Sequence, residues 1–367
     1  MRKVTLQDLA DVLGVARSTV SRALRDDPQI SDVTRARVRR LAAEAGYHPN
    51  AAARALTHRE AGVIGLVLPR SANFVFANPY FTELLEGIAS VAEAVGFPIL
   101  LSASRAPDYE RWLREGRVDG LVTLGSSLSE HDLERLEGLA ANGAAVALVG
   151  EPRRPTDLDA ILCDERAGID EACARLAADG HERVVVVAGP AHAPYARTRA
   201  NTWRSAAEAH GLAVLQTLPG DDTFEAGREA ANTLLRSRSV ASAWLFGNDL
   251  MAFGALHALD EASLRAPDHV AVVGFDDIMP SALLGLSTVR QPIRELGILA
   301  MHALAAAIRH QPHHRASTLV TRFVPRRTSA ARPRITQLTS EGGPNGIGTD
   351  HAPSQVTPAC TGGTRRP

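Results

Sequence analysis

Residues 5–56 constrain this chain more than any other stretch, because their spacing admits little besides a helical pair meeting at a tight turn. Thr5 is placed to cap a first helix through its hydroxyl. Leu6, Leu9, Ala10 and Leu13 then fall at i, i+3, i+4 and i+7, one apolar stripe. Gly14 follows, where a tight turn tolerates positive φ most cheaply, and Val15 plugs the corner. A second helix is predicted from about Arg17 to Leu24, apolar at Val20, Ala23 and Leu24. Its opposite face presents Arg17, Ser18, Ser21, Arg22 and Arg25. One packed face and one donor-rich face suit a helix that lies in a DNA major groove. An ordinary helical hairpin with a solvated basic face would share these features, so the neighbouring residues matter.

Ser31 or Asp32 is placed to cap a third helix carrying Val38, Leu41, Ala42 and Ala45, and Gly46 sits at its C′ position. Pro49 stops anything upstream. Asn50 can cap a short segment, Ala51-Ala52-Ala53-Arg54-Ala55-Leu56, that is too short to be a stable helix alone and so needs a docking partner. Charge is distributed unevenly. Residues 1–59 hold eleven Arg and Lys against six Asp and Glu, a net +5, while the whole chain is −1, leaving −6 for the rest. A basic head on an acidic body is the footprint of a DNA-reading module attached to a part with another task.

From Gly62 the pattern changes to short apolar runs separated by helical segments. Strand candidates are Val63–Leu68, Phe97–Leu101, Val118–Leu124, Ala145–Val149, Val184–Ala188, Ala213–Gln216, Ser242–Phe246 and Val270–Gly274. This alternation predicts doubly wound parallel sheets. The series is too long for one compact sheet, so two lobes with a cleft are expected. Ligands of such sheets bind beyond the carboxyl ends of the strands. The polar residues there are Asn73, Asn78 and Tyr80 after the first strand, Asp164, Arg197, Arg199 and Trp203, Asn248 and Asp249, and Asp276 and Asp277. Carboxylates, amides, an Arg and aromatic faces suit a polyhydroxylated ligand, although any one of them could equally cap a helix or pin a loop. With 367 residues and 45% hydrophobic content, two to three domains are expected. No run of about 18 apolar residues predicts a membrane span, and Met-Arg-Lys leads directly into the amphipathic helix, which predicts a cytoplasmic chain. Three cysteines without a Cys-x-x-Cys spacing support neither a disulfide framework nor a zinc site, and no cofactor or metal is expected. The 37 residues from Ala331 hold five Pro and six Gly, a composition expected of a disordered tail.

The chain resembles the LacI/GalR family of bacterial transcription regulators. The matching residues in the head are Val4-Thr5-Leu6-Gln7-Asp8-Leu9-Ala10, Gly14-Val15, Thr19-Val20-Ser21-Arg22-Ala23-Leu24, Thr34–Val38 and Gly46-Tyr47-His48-Pro49-Asn50 through Leu56. In the body they are Asn78-Pro79-Tyr80-Phe81, Val118-Asp119-Gly120-Leu121, Gly189-Pro190, Arg199 with Trp203, Gly247-Asn248-Asp249 and Val273-Gly274-Phe275-Asp276-Asp277. The resemblance implies a small all-α helix-turn-helix head plus a two-lobed α/β core like that of periplasmic sugar-binding proteins, through which the chain crosses three times. The implied domains are 1–48, a hinge at 49–61, and a core at 62–330. Within the core, one lobe would span about 62–160 and 291–317, the other about 161–290 and 318–330, with a tail from 331. The DNA-binding set would be Thr5, Leu6, Arg17, Ser18, Thr19, Ser21, Arg22, Arg25, Asn50, Ala53 and Leu56. Within it Arg17, Ser18 and Arg22 reach base edges, Thr19, Ser21 and Arg25 reach phosphates, and Leu56 acts as a minor-groove wedge. The effector set would be Asn73, Tyr80, Asp164, Arg199, Trp203, Asn248 and Asp276. Some positions depart from the pattern: Ala16 stands where a capping Ser is usual, Glu165 where an Asn is common, Thr202 where a Gly is common, and the Arg70–Ala77 loop is longer, adding Phe74 and Phe76 near the cleft mouth.

The function these features imply is repression: a homodimer reading a near-palindromic operator and switched by a small effector, which the family resemblance implies is a sugar. A non-catalytic solute-binding protein would need an export signal and no helix-turn-helix. An enzyme acting on a sugar could use paired carboxylates such as Asp276-Asp277 or Asp221-Asp222, but sequence neighbours usually point apart, and no nucleophile, base and orienting group can be placed together.

Overall fold

The computed structural model describes residues 4–24, 26–47, 61–104 and 106–330. The readings made for Arg25, for the 49–60 hinge with Asn50, Ala53 and Leu56, and for the tail from Ala331 lie outside the described residues.

The head is three helices, α1 (Leu6–Leu13), α2 (Arg17–Ala23) and α3 (Asp32–Glu44). Thr5 caps α1 in a capping box: its hydroxyl accepts the Asp8 N–H at 3.3 Å, and its own N–H donates to the Asp8 carboxylate at 2.8 Å. Gly14 ends α1 at φ +67°, the left-handed turn its lack of a Cβ permits. Ser31, rather than Asp32, caps α3, accepting the Thr34 N–H at 3.3 Å. Ala16 gives α2 no side-chain cap. Leu9, Ala10, Leu13, Val20, Ala23, Val38 and Ala42 form the buried centre of this bundle.

The first lobe begins β1 (Ile64–Leu68), α4 (Ala72–Ala77), α5 (Pro79–Val95), β2 (Ile99–Ala103), α6 (Tyr109–Arg114), β3 (Gly120–Leu124), α7 (Glu130–Ala141), β4 (Ala145–Val149) and β5 (Asp159–Asp164). The second runs α8 (Glu165–Ala178), β6 (Arg183–Val187), α9 (Pro194–Ala209), β7 (Ala213–Leu218), α10 (Phe224–Arg236), β8 (Ala243–Phe246), α11 (Asp249–Glu261), β9 (Ala271–Asp276), α12 (Pro280–Leu284) and β10 (Ser287–Arg290). The chain then returns through α13 (Ile293–Ile308) and β11 (Ala316–Val320) to the first sheet, and ends with β12 (Arg322–Val324) in the second. Each sheet has six strands, ordered β11-β5-β4-β3-β1-β2 and β12-β10-β9-β8-β6-β7; every pairing is parallel except that of β12 with β10. β1, β3, β8 and β9 are buried along their whole length, as apolar runs covered on both faces should be.

The three crossings between sheets sit side by side, but their positions correct the expected lobe limits. β5 continues to Asp164 and β11 to Val320, because the two pair in parallel from Ala160↔Ala316 through Asp164↔Val320. The first lobe therefore holds residues to 164 and to 320, not to about 160 and 317, and β12 is a short separate strand. Thr321 pins two of these crossings. Its hydroxyl donates to the Asp164 carbonyl at 2.7 Å and accepts the Gly168 N–H at 2.9 Å.

Candidate functional site

A cleft of about 500 Å³ opens between the lobes at the carboxyl ends of both sheets, the position the topology dictates and a volume suited to a small molecule. Tyr80, Asp164, Arg199, Asn248 and Asp276 line it. Asn73 and Trp203 do not. The expected long loop has folded into α4, which turns Phe74 into the cleft and leaves Asn73 and Phe76 on its solvent side. Trp203 lies one turn after Arg199, where α9 has already entered the second-lobe core; its ring is fully buried there and its indole N–H has no partner among the described residues.

The residues that do line the cleft differ in how far their polar groups are already engaged. Asn248 caps α11, accepting the Met251 N–H at 2.9 Å and donating to the Asp222 carbonyl at 3.0 Å. Asp164 caps α8, accepting from Arg166 N–H at 3.0 Å and Ala167 N–H at 3.3 Å. Both serve as the caps that their places before helices invite. Arg199 is fixed from three sides. Its Nε and Nη2 donate to the two Glu165 oxygens at 2.9 and 2.6 Å, its Nη1 donates to the Gly247 carbonyl at 2.8 Å, and its guanidinium lies 3.8 Å from the centre of the Phe275 ring. Burial works to neutralise Arg199, but Glu165 and then Asp276 more than offset it and hold the guanidinium charged.

Asp276 ends β9 at φ +114°, a strained conformation for a non-glycine residue. Its Oδ1 accepts from Gln291 Nε2 at 2.7 Å. Burial raises its carboxyl well above the usual range, against the pull of Arg199. Burial likewise raises the Tyr80 phenol, and Asp276 adds to the shift. Asp277, though adjacent, points elsewhere and pairs with Arg290 and Arg326, each at 2.6 Å.

Among the cleft residues that the sequence reading did not take as contacts are Arg70, Glu165, Tyr195, Asp222 and Gln291. Arg70 Nη2 donates to the Tyr195 hydroxyl at 2.9 Å, and that hydroxyl donates to the buried Asp222 carboxylate. Burial raises the Asp222 carboxyl. Asp222 follows a strand, so the strand-end rule would have found it had β7 been taken to Leu218. Gln291 follows β10, which carries no apolar signature. Cys163 lines the cleft and Cys173 lies in the core; burial pushes both thiols up to about 12, so neither is a ready thiolate nucleophile.

In the head, α2 exposes Arg17, Ser18 and Arg22, while Thr19 and Ser21 are half-buried. Among the described residues Arg22 makes only long contacts, to Gln29 Oε1 at 3.5 Å and Asp27 at 3.9 Å. Thr5 is occupied as a cap, and Leu6 is half-buried beside the head core.

Three helices with a basic exposed α2, joined in one chain to a two-lobed α/β core, define a class: DNA-binding regulators built on a periplasmic-binding-protein-like body. Residues 5–50 match the model of bacterial regulatory proteins of the lacI family, and residues 173–329 match the periplasmic binding protein-like domain. The ribose operon repressor of Escherichia coli is 30% identical, covering 82% of this chain and 92% of that protein. The lac repressor dimer bound to operator and the anti-inducer ONPF superposes with a TM-score of 0.79 at 27% identity, over 90% of this chain and all of that one. The transcriptional regulator CelR in complex with cellobiose superposes with a TM-score of 0.65 at 28% identity, over 89% of this chain and all of that one. The chain belongs to the lacI family of DNA-binding transcriptional regulators.

Proposed function

We propose that the protein is a cytoplasmic, non-catalytic repressor that binds a near-palindromic operator as a homodimer and changes its operator affinity when a small sugar occupies the interlobe cleft. The observation that carries the reading is the pairing of an exposed Arg17-Ser18 edge on α2 with a polar cleft at the strand ends of the same chain. One helix-turn-helix covers one half-site, so a two-fold dimer matches a palindrome. A relative bound to cellobiose and a relative solved as a dimer on its operator support the ligand class and the assembly.

In this reading Arg17, Ser18 and Arg22 contact base edges, Thr19 and Ser21 contact phosphates, and Tyr80, Arg199 and Asp276 hold the effector. Selection of bound DNA from a random pool tests it. Arg17→Ala and Ser18→Ala should each alter preference at particular base pairs by about 1–3 kcal/mol while leaving the fold intact. Variants that select the same sequence as the wild type would remove α2 from base readout.

A further inference from the structure

We infer that Glu165 makes the cleft reject anionic ligands, so that the effector is an uncharged polyhydroxylated molecule rather than a sugar acid or a sugar phosphate. The inference rests on the cleft being the effector site and names the charge class that site accepts.

A buried arginine is the natural receptor for a carboxylate or phosphate, because its planar fork matches two oxygens at once. Here that fork is already filled. Glu165 takes Nε and Nη2 at 2.9 and 2.6 Å, the Gly247 carbonyl takes Nη1 at 2.8 Å, and Phe275 covers one face at 3.8 Å. Both partners belong to the second lobe, Glu165 at the first position of α8 and Arg199 in α9, so opening or closing the lobes does not separate them. The same carboxylate therefore holds the Nε–Nη2 edge of the guanidinium in either arrangement, and an anion could take that edge only by displacing it.

What faces the cavity instead is mainly acceptor. Asp276 and Asp222 are both buried and both line it. Asp276 Oδ1 is bonded to Gln291, and no hydrogen bond reaches its Oδ2 among the described residues. The other arginines at the cleft are turned to protein oxygens: Arg70 to Tyr195, Arg153 to the Leu128 carbonyl, and Arg166 to the Ser205 hydroxyl. Arg153 and Arg166 are exposed to water at the rim, where charge is strongly screened. A neutral hydroxyl both donates and accepts. It can bond to Asp276 and receive a proton from a remaining Arg199 N–H, whereas a carboxylate or phosphate oxygen can only accept and would meet the Glu165 carboxylate as a like charge. Discrimination by a repulsive group is a general route to specificity.

Matched pairs test this in the full-length protein: cellobiose against cellobionate, ribose against ribose 5-phosphate, and glucose against gluconate, by thermal shift and titration calorimetry. At least one uncharged member should bind, and at least tenfold more tightly than its anionic partner, a difference of about 1.4 kcal/mol. Glu165→Gln keeps hydrogen-bonding atoms beside Arg199 but removes the charge, and should shrink that ratio at least tenfold by improving binding of the anion. Glu165→Asn serves the same purpose if the glutamine variant unfolds. A merely structural role would weaken both members of a pair equally and leave the ratio unchanged, which would overturn the role of Glu165. Wild-type protein that binds the anion as well as the neutral sugar would overturn the charge selection and leave the effector reading standing. Binding of no member of any pair would overturn both.

Discussion

Asp249 shows how a single side chain in this fold joins local geometry to solution behaviour. It is fully buried at the first position of α11 and accepts three hydrogen bonds, from the Ile278 N–H at 3.0 Å and from the Ser281 and Thr288 hydroxyls, each at 2.6 Å. Those donors favour its charged form, but burial outweighs them, and nearby Asp277 adds to the effect, so its carboxyl is raised toward neutrality. In the unfolded chain it titrates near 4. The native state therefore binds a proton that the unfolded state has lost, and the associated stability, complete below about pH 4, declines as pH rises towards about 7. Asp249→Asn should flatten this decline by up to about 1.4 kcal/mol per pH unit, read from urea unfolding at several values between pH 4 and 7; equal slopes in variant and wild type would refute it. The residue also marks a limit of sequence reading. Asn248 and Asp249 are indistinguishable there as polar groups after a strand, yet the first lines the cleft and the second turns into the lobe. Which way each side chain points depends on the helix start, not on residue type. The same holds for Arg199, whose place in the cleft was legible although its capture by Glu165 was not.

At the scale of elements, each lobe depends on a pair of helices that approach through glycine. In the first lobe a Cβ on Gly87 of α5 would stand 2.1 Å from the Arg294 carbonyl oxygen, and one on Gly297 of α13 would stand 2.5 Å from that of Leu84. In the second lobe a Cβ on Gly227 of α10 would meet the Met251 carbonyl oxygen at 1.9 Å, and one on Gly254 of α11 would meet that of Phe224 at 1.9 Å. The obstructing atoms are backbone, so they yield only if the helices separate. Gly254→Ala and Gly87→Ala should each destabilise by about 1–3 kcal/mol, although Ala is the better helix former. Gly138 is the control: it sits on the exposed side of α7 with nothing within 4 Å of a Cβ, and Gly138→Ala should stabilise by about 0.5–1 kcal/mol. Thermal unfolding of the three variants decides the matter, and a stabilised Gly254→Ala would contradict the packing. These crossings carry no periodic signal in the sequence. The strands were legible because burial on both faces demands apolar runs. β10 is the exception that explains the rule: its Ser287 and Thr288 are buried but satisfied, Ser287 by the Arg326 carbonyl and Thr288 by Asp249, so it reads as a polar loop.

Over the whole molecule, the cleft is bridged by two sets of bonds that bear on how the lobes settle against each other. One runs from Arg70, just after β1, to the Tyr195 hydroxyl at 2.9 Å and on to Asp222, with the Arg70 guanidinium also over the Phe74 and Tyr195 rings at 5.6 and 5.5 Å. The other joins the Glu83 carboxylate of α5 to the Met279 N–H at 3.2 Å. Crossings of the chain beside the cleft, implied by the family resemblance, make such bridges possible. Their identity was not legible, because Arg70 and Tyr195 are 125 positions apart and only the folded topology makes them neighbours. A ligand shifts the lobe equilibrium only through its different affinity for the two arrangements, so bonds present in one arrangement set the free energy it must overcome. Tyr195→Phe removes the shared hydroxyl. Arg70→Ala removes the donor. A double-mutant cycle on unfolding free energy should give a coupling of about 0.5–1.5 kcal/mol for this pair. Tyr195→Phe with Glu83→Ala should be additive within about 0.5 kcal/mol, since the two bridges share no partner. Loosening the first bridge by about 1 kcal/mol changes the ratio of lobe arrangements about fivefold, so Tyr195→Phe should alter ligand-free operator affinity in the same direction as Arg70→Ala and by a similar factor. Additivity of Tyr195→Phe with Arg70→Ala, or opposite effects of the two on operator affinity, would show that this chain of bonds does not connect the lobes to the head.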